Sequence, residues 1–163
     1  MGTKKVQILM STYNGERFLA EQIESLLRQT WGNLEILIRD DGSKDGTSDI
    51  LKEYGAKYNN IKVFLEENLG VSRSFFELLK KSDADMVAFC DQDDIWLEQK
   101  VEAAVQRLEH EQGPALYCSN KILVDSDGTP MEKQDRRERV PGFGNAVVEC
   151  ICTGCTTVMN REM

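Results

Sequence analysis

The 163-residue chain, 40% hydrophobic and 29% charged, has the composition of one globular unit with a single core, which sets aside disordered and collagen-like classes. Twenty basic against 28 acidic side chains leave a net charge of −8, so nothing in the balance attracts nucleic-acid backbones or anionic membrane surfaces, and nucleic acid is not an expected partner. Apolar runs such as Ile36-Leu37-Ile38 and Met86 to Cys90 fall far short of the roughly 20 residues that span a bilayer, so no integral membrane segment is expected.

Met1-Gly2-Thr3-Lys4-Lys5 leads straight into a strand pattern without an apolar stretch of signal-peptide length. Val6 stands where a myristoylation site carries Ser or Thr, and the reading is cytoplasmic. Val6 to Met10 is a short apolar run, a buried strand, stopped by the turn-forming Ser11-Thr12-Tyr13-Asn14-Gly15. From Glu16 to Gln29, Leu19, Ile23, Leu26 and Leu27 recur at helical spacing. Leu34 to Arg39 is a second buried strand, ending in Asp40-Asp41-Gly42-Ser43. A helix through Ile50, Leu51, Tyr54 and Tyr58 follows, then a strand at Ile61 to Leu65.

After the Asn68-Leu69-Gly70 turn, Val71, Phe75, Leu78 and Leu79 share one face of a helix for which Ser72 or Asn68 is the expected cap. Met86 to Cys90 is a fourth strand and enters Asp91-Gln92-Asp93-Asp94. Leu97, Val101, Ala104, Val105 and Leu108 mark a longer helix stopped near Gly113-Pro114. Strand-then-helix units in succession predict an α/β fold, a mostly parallel sheet flanked by helices. Beyond Leu116 the pattern weakens. Ala115 to Cys118 and Lys121 to Val124 are candidate strands, Asp125-Ser126-Asp127-Gly128 a turn, Glu132 to Arg139 a solvated loop and Val147 to Met159 a last strand region. Arg161-Glu162-Met163 reads like the opening of another helix, so residues 5–163 are read as one domain truncated at its C-terminus. Five cysteines at irregular spacing describe no disulfide framework and fit a reducing compartment. Cys150, Cys152 and Cys155 lack a fourth zinc ligand nearby and read as small buried hydrophobes.

Loops at the carboxyl ends of parallel strands form the ligand crevice of an open α/β sheet. Here they carry Ser11 to Asn14, Asp40-Asp41 and Asp91 to Asp94, so several carboxylates would converge. Clustered carboxylates stay ionised only with a positive partner or generous water. Hard oxygen ligands in a short D-x-D-D loop suit Mg2+ or Mn2+, with Asp93 and Asp91 as ligands and a diphosphate as the third party. Asp40-Asp41 before Gly-Ser also fits a plain turn with a capping signal. Asp41 to Lys52 imitates a calcium loop, but Lys52 occupies the position of the required bidentate Glu. His110 reads as a surface residue and Trp31 and Trp96 as packing residues, with Trp96 close enough to the acidic loop to floor a sugar pocket. Arg73 is either a surface cation or a contact to a bound phosphate or base.

Taken in order, Ser11-Thr12-Tyr13-Asn14, Gln29-Thr30-Trp31, Asp40-Asp41-Gly42-Ser43-Lys44-Asp45-Gly46-Thr47, Asn68-Leu69-Gly70 and Asp91-Gln92-Asp93-Asp94 resemble the family 2 glycosyltransferases of GT-A fold, over nearly all of residues 5 to 162. Thr153-Gly154-Cys155-Thr156 through Asn160-Arg161-Glu162 is similar to the rhamnosyltransferase branch. The resemblance implies a UDP- or dTDP-linked sugar donor, a glycan or lipid-linked acceptor, and an inverting, metal-dependent transfer in polysaccharide biosynthesis. It also implies a cytoplasmic place, extending to peripheral association with the inner membrane face. Carried over by position, Ser11, Thr12 and Tyr13 lie beside a pyrimidine and Asp41, with Asp40, accepts from the base N3–H. Glu16 contacts the donor side, Asp91 faces ribose or sugar, and Asp93 holds the metal. An imide N–H calls for an acceptor and a departing diphosphate for a Lewis acid.

The chain departs from the family where many members have Pro at or beside Ser11 and a small residue at Gln92, which leaves base and sugar preference open. An inverting transfer also needs a carboxylate to deprotonate the acceptor. The family supplies it from the acceptor half, expected beyond Met163, so no catalytic residue is named here. Two other readings stand beside this one. A sugar-phosphate nucleotidyltransferase would carry a Gly- and Arg-rich phosphate loop after the first strand, which Gly15-Glu16-Arg17 matches poorly. A non-catalytic carbohydrate- or cation-binding module is the other.

Overall fold

The computed structural model of the chain describes residues 4–125, 128–131 and 153–162. β1 (Val6–Thr12) pairs in parallel with β2 (Leu34–Asp40), in register from Val6 opposite Leu34 to Thr12 opposite Asp40. β3 (Ile61–Leu65) extends the sheet beyond β2, and β4 (Met86–Cys90) lies parallel on the other side of β1. β6 (Thr157–Asn160) runs antiparallel between β4 and β5 (Leu116–Cys118), so the six strands stand in the order β3-β2-β1-β4-β6-β5. The chain steps outward from β1 to β3 and then returns to the far side of β1. The carboxyl edge between β1 and β4 is therefore the place where strand order reverses, and it opens a crevice there.

Successive strand residues point to opposite faces, and both faces are covered. Ile8, Met10, Ile36, Ile38, Ala88 and Cys90 pack under three helices: α1 (Leu19–Leu27) through Leu19, Ile23 and Leu26, α2 (Thr47–Lys57) through Leu51, and α4 (Lys100–Leu108) through Val101 and Val105. On the other face Leu9, Leu37 and Val87 meet Leu78 of α3 (Val71–Lys81). Phe75 and Phe89 close that side edge to face, ring centroids 5.3 Å apart. This two-sided covering explains why β1, β2 and β4 read as unbroken apolar runs.

Several expectations change. Leu97 precedes α4 and is exposed, so it takes no part in that helix's buried face. Trp96 is 4% exposed and sits in the core with Lys100 Nζ 3.3 Å from its ring centroid, so little of its ring is open to a ligand. Lys121 to Val124 forms no strand. Its apolar side chains are exposed and Val124 makes only an isolated bridge to Pro130, outside the six-stranded sheet. Neither Ser72 nor Asn68 caps α3 with its side chain. The expected last strand region begins at Thr157 after a single 3-10 turn (Gly154–Thr156). The expectations for Ser126, Asp127, residues 132–139, 147–152 with Cys150 and Cys152, and Met163 fall outside the described residues.

Candidate active site

A cleft of about 430 Å3 opens at the carboxyl edge of β1, β2 and β4. β1 and its loop supply Ser11, Thr12 and Tyr13; β2 leads to Asp41; Asn68, Gly70 and Val71 come from the turn into α3; β4 leads to Asp91, Gln92 and Asp93. The parallel registers bring these loops together, since Thr12 ends level with Asp40 and Met10 lies level with Cys90.

Asp41 is buried at the base of this cleft. Its Oδ1 accepts from Arg39 Nη1 and from the Leu69 N–H at 2.8 Å, and its Oδ2 accepts from the Gly70 N–H at 2.8 Å. The carboxylate thereby fixes the backbone that enters α3, holding the N–H of its N-cap Gly70 and of the residue before it, and its negative charge lies at the positive end of the helix. Asn68 instead donates to the Asp41 carbonyl at 2.8 Å. Burial alone would raise the Asp41 pKa, but the Leu69 N–H, Arg39 and the Gly70 N–H outweigh it and hold the carboxyl below its usual value. Arg39 is itself 1% exposed and also donates to Glu66, the Glu67 carbonyl and Ser74. Ser74 in turn is 2.6 Å from Ser11 Oγ, which links the buried cation to the cleft wall.

The acidic loop after β4 has a different environment. Desolvation, then the charges of Asp94 and Asp93, keep the Asp91 carboxyl above its usual value. Asp91, Asp94 and Cys155 each offer a ligand atom within 4.8 Å of one another, and Asp93 lines the cleft outside that group. Oδ2 of Asp94 is buried without a hydrogen-bond partner among the described residues, a demand that a cation would meet. Two carboxylates suit a hard divalent ion. The Cys155 thiol does not, because burial and its hydrogen bond to Asp94 push its pKa up to about 12. Lys100 donates to the Cys155 carbonyl, and burial pulls its ammonium down to about 8.

Of the other residues singled out, Asp40 is buried but turned into its own loop, accepting from Thr12 Oγ1 at 3.0 Å and from the Ser43 N–H at 2.9 Å. Glu16 accepts from the Gly46 N–H at 2.6 Å and fastens one loop to the next. Arg73 is exposed on α3. None of these three is among the cleft's lining residues. Sequence reasoning missed Arg39, which ends an apolar run and reads as a strand boundary, and noted Gln92 only as a departure from the family's small residue, without assigning it a role.

The glycosyl transferase family 2 profile matches residues 7–163. A Bacillus subtilis protein named for teichuronic acid biosynthesis, TuaG, is 33% identical over 159 residues, covering 96% of this chain and 62% of its own. The dTDP-rhamnosyl transferase RfbG of Shigella flexneri is 32% identical over 161 residues, 94% of this chain and 54% of its own. The chain thus spans little more than half the length of these relatives. Among solved structures, Staphylococcus aureus TarS 1–349 in complex with UDP superposes with a TM-score of 0.67 at 27% identity, over 78% of this chain and 38% of that one. The matched sequence, the six-stranded sheet and the cleft at its strand reversal agree, and the chain belongs to glycosyl transferase family 2.

Proposed function

We propose that this chain is the donor-binding part of a glycosyltransferase that uses a UDP- or dTDP-linked sugar, rhamnose being the sugar suggested by the likeness to RfbG, with inversion and with Mg2+ or Mn2+ as cofactor. The observation that carries the reading is the pairing of two unlike acidic sites across one cleft: Asp41 fixed and ionised on one side, Asp91 and Asp93 on the other. An ionised acceptor at the cleft base suits the imide N–H of uracil or thymine, so Asp41 would read the base while Ser11, Thr12 and Tyr13 flank it. Loops of net negative charge repel a diphosphate unless a cation intervenes. Asp91, with Asp93 and Asp94 beside it, would hold that ion, which supplies charge neutralisation to the departing diphosphate. The TarS complex with UDP supports a uridine nucleotide, and the teichuronic acid biosynthesis in TuaG's name supports a glycan or lipid-linked acceptor. No helix among the described residues is long and apolar enough to cross a membrane, which is compatible with peripheral work at the inner face.

Calorimetry with UDP, dTDP and a nucleoside triphosphate, each with and without Mn2+, tests this reading. Diphosphate binding that Mn2+ strengthens by about tenfold or more is expected, with the gain lost in Asp93→Ala and the fold retained, since Asp93 is exposed. Triphosphate preference, or metal binding indifferent to nucleotide, would overturn it.

A further inference from the structure

Gln92 reaches across the cleft mouth and holds the Tyr13 backbone at two points. Its Oε1 accepts from the Tyr13 N–H at 2.9 Å and its Nε2 donates to the Tyr13 carbonyl at 3.2 Å. The parallel ladder between β1 and β4 ends at Met10 opposite Cys90; β4 stops there, while β1 runs on to Thr12 beside β2 before its loop begins. A side-chain amide carries the same donor and acceptor as a peptide group. Gln92 therefore continues the connection between the strands beyond the last backbone rung, at the point where strand order reverses.

The space that this amide occupies is kept open by a neighbour. A Cβ placed on Gly15 would lie 2.4 Å from Gln92 Oε1 and 2.6 Å from its Cδ. Gly15 is absent from the glycines with left-handed φ, so its backbone alone would accept alanine. The missing side chain makes room for the Gln92 amide. Gly15 is itself tethered, its N–H donating to Thr47 Oγ1 at 2.8 Å, so it cannot easily move aside.

We infer that Gln92 is a positioning residue that couples the two walls of the cleft, so that engagement of the base beside Tyr13 and of the diphosphate end beside Asp91 and Asp93 become interdependent. The inference rests on the nucleotide-sugar reading. The coupling follows from where the clasp sits: Gln92 lies between Asp91 and Asp93 in sequence, while its amide is bonded to the loop that flanks the base. Ordering one loop orders the other. A ligand that touches both walls then meets the ordering cost once, whereas a nucleoside that touches one gains little from it.

The test uses the full protein and calorimetry with UDP and dTDP, each with Mn2+, and with uridine and thymidine. If neither diphosphate binds to the wild type, the nucleotide-sugar reading falls and this inference with it. If one binds, Gln92→Met, which keeps the reach of the side chain but lacks an amide, is expected to weaken it about 5- to 10-fold. Affinity for the matching nucleoside is expected to change less than about twofold. Gly15→Ala is expected to produce the same loss by displacing the amide, and the double variant to be no worse than either single one. Unchanged diphosphate affinity in Gln92→Met overturns the clasp while leaving the nucleotide reading intact. Equal loss for nucleoside and diphosphate, or additive losses in the double variant, overturns the coupling. A thermal melt of Gln92→Met within about 2 °C of wild type accompanies the expected result.

Discussion

Arg39 and Asp41, two residues apart where β2 runs out into its loop, form a buried ion pair whose side chains are 1% and 4% exposed. A charge so withdrawn from water is tolerated because every strong partner is present, and removing one strands the other. Arg39→Met is expected to cost about 3–5 kcal/mol in urea denaturation. Arg39→Lys recovers only part of this, since an ammonium cannot reach Asp41, Glu66 and the Glu67 carbonyl together as the guanidinium does.

The same pair sets a pH dependence. The native Asp41 carboxyl titrates below its usual value, so the pairing contributes in full at neutral pH, where native and unfolded carboxyls are both ionised. As pH falls through about 4, the unfolded chain takes up a proton that the native state refuses, and stability declines until the native carboxyl is protonated too. Asp41→Asn is therefore expected to be less stable than wild type at pH 7. The gap should narrow steadily toward pH 2.5, as read from urea midpoints across that range.

Gly70 adopts φ 82° and ψ 153°, a conformation that residues with a side chain rarely reach, while its N–H donates to Asp41. No atom lies within 4 Å of the position a Cβ would take, so the backbone alone decides the outcome. Gly70→Ala is expected to lose about 1–3 kcal/mol by chemical denaturation. Gly32→Ala, also in open space but without left-handed φ, should change little in the same assay.

Three thiols among the described residues differ sharply in environment. Cys90 is fully buried with its pKa pushed well above normal, Cys155 is pushed up to about 12, and Cys118 is half-buried. Burial suppresses the thiolate of Cys90 and Cys155, and Cys118 is the more accessible of the three. Iodoacetamide at pH 8 followed by peptide mapping should find Cys118 labelled before Cys90 and Cys155, both slower than it by about 100-fold or more.

The alternation of strand and helix was legible because each of β1, β2 and β4 is buried on both faces, and such strands announce themselves as runs of Val, Ile and Leu. The cleft loops were legible as polar breaks after those runs. Side-chain roles inside the loops were harder to read. Asp40 and Asp41 are adjacent and chemically identical, yet one turns into its own loop and the other reaches α3, a choice made by Arg39 and the Gly70 turn rather than by the acids themselves. Leu97 and Lys121 to Val124 carry the right periodicity but find no free face to cover, and periodicity cannot report that. Cys155 arrives beside Asp91 and Asp94 from more than 60 positions away through β6, a pairing invisible to local pattern.

The insertion of β6 between β4 and β5 also dictates an order of assembly. In a nascent chain extended only through β5, that strand has no native neighbour yet, because its partner is synthesised some 40 residues later. Until then the outer flank of β4 is a bare strand edge, open to pairing with another chain. Its vulnerability belongs to biosynthesis, and substitutions that weaken β6 should first be felt as lower yield rather than as an altered finished molecule.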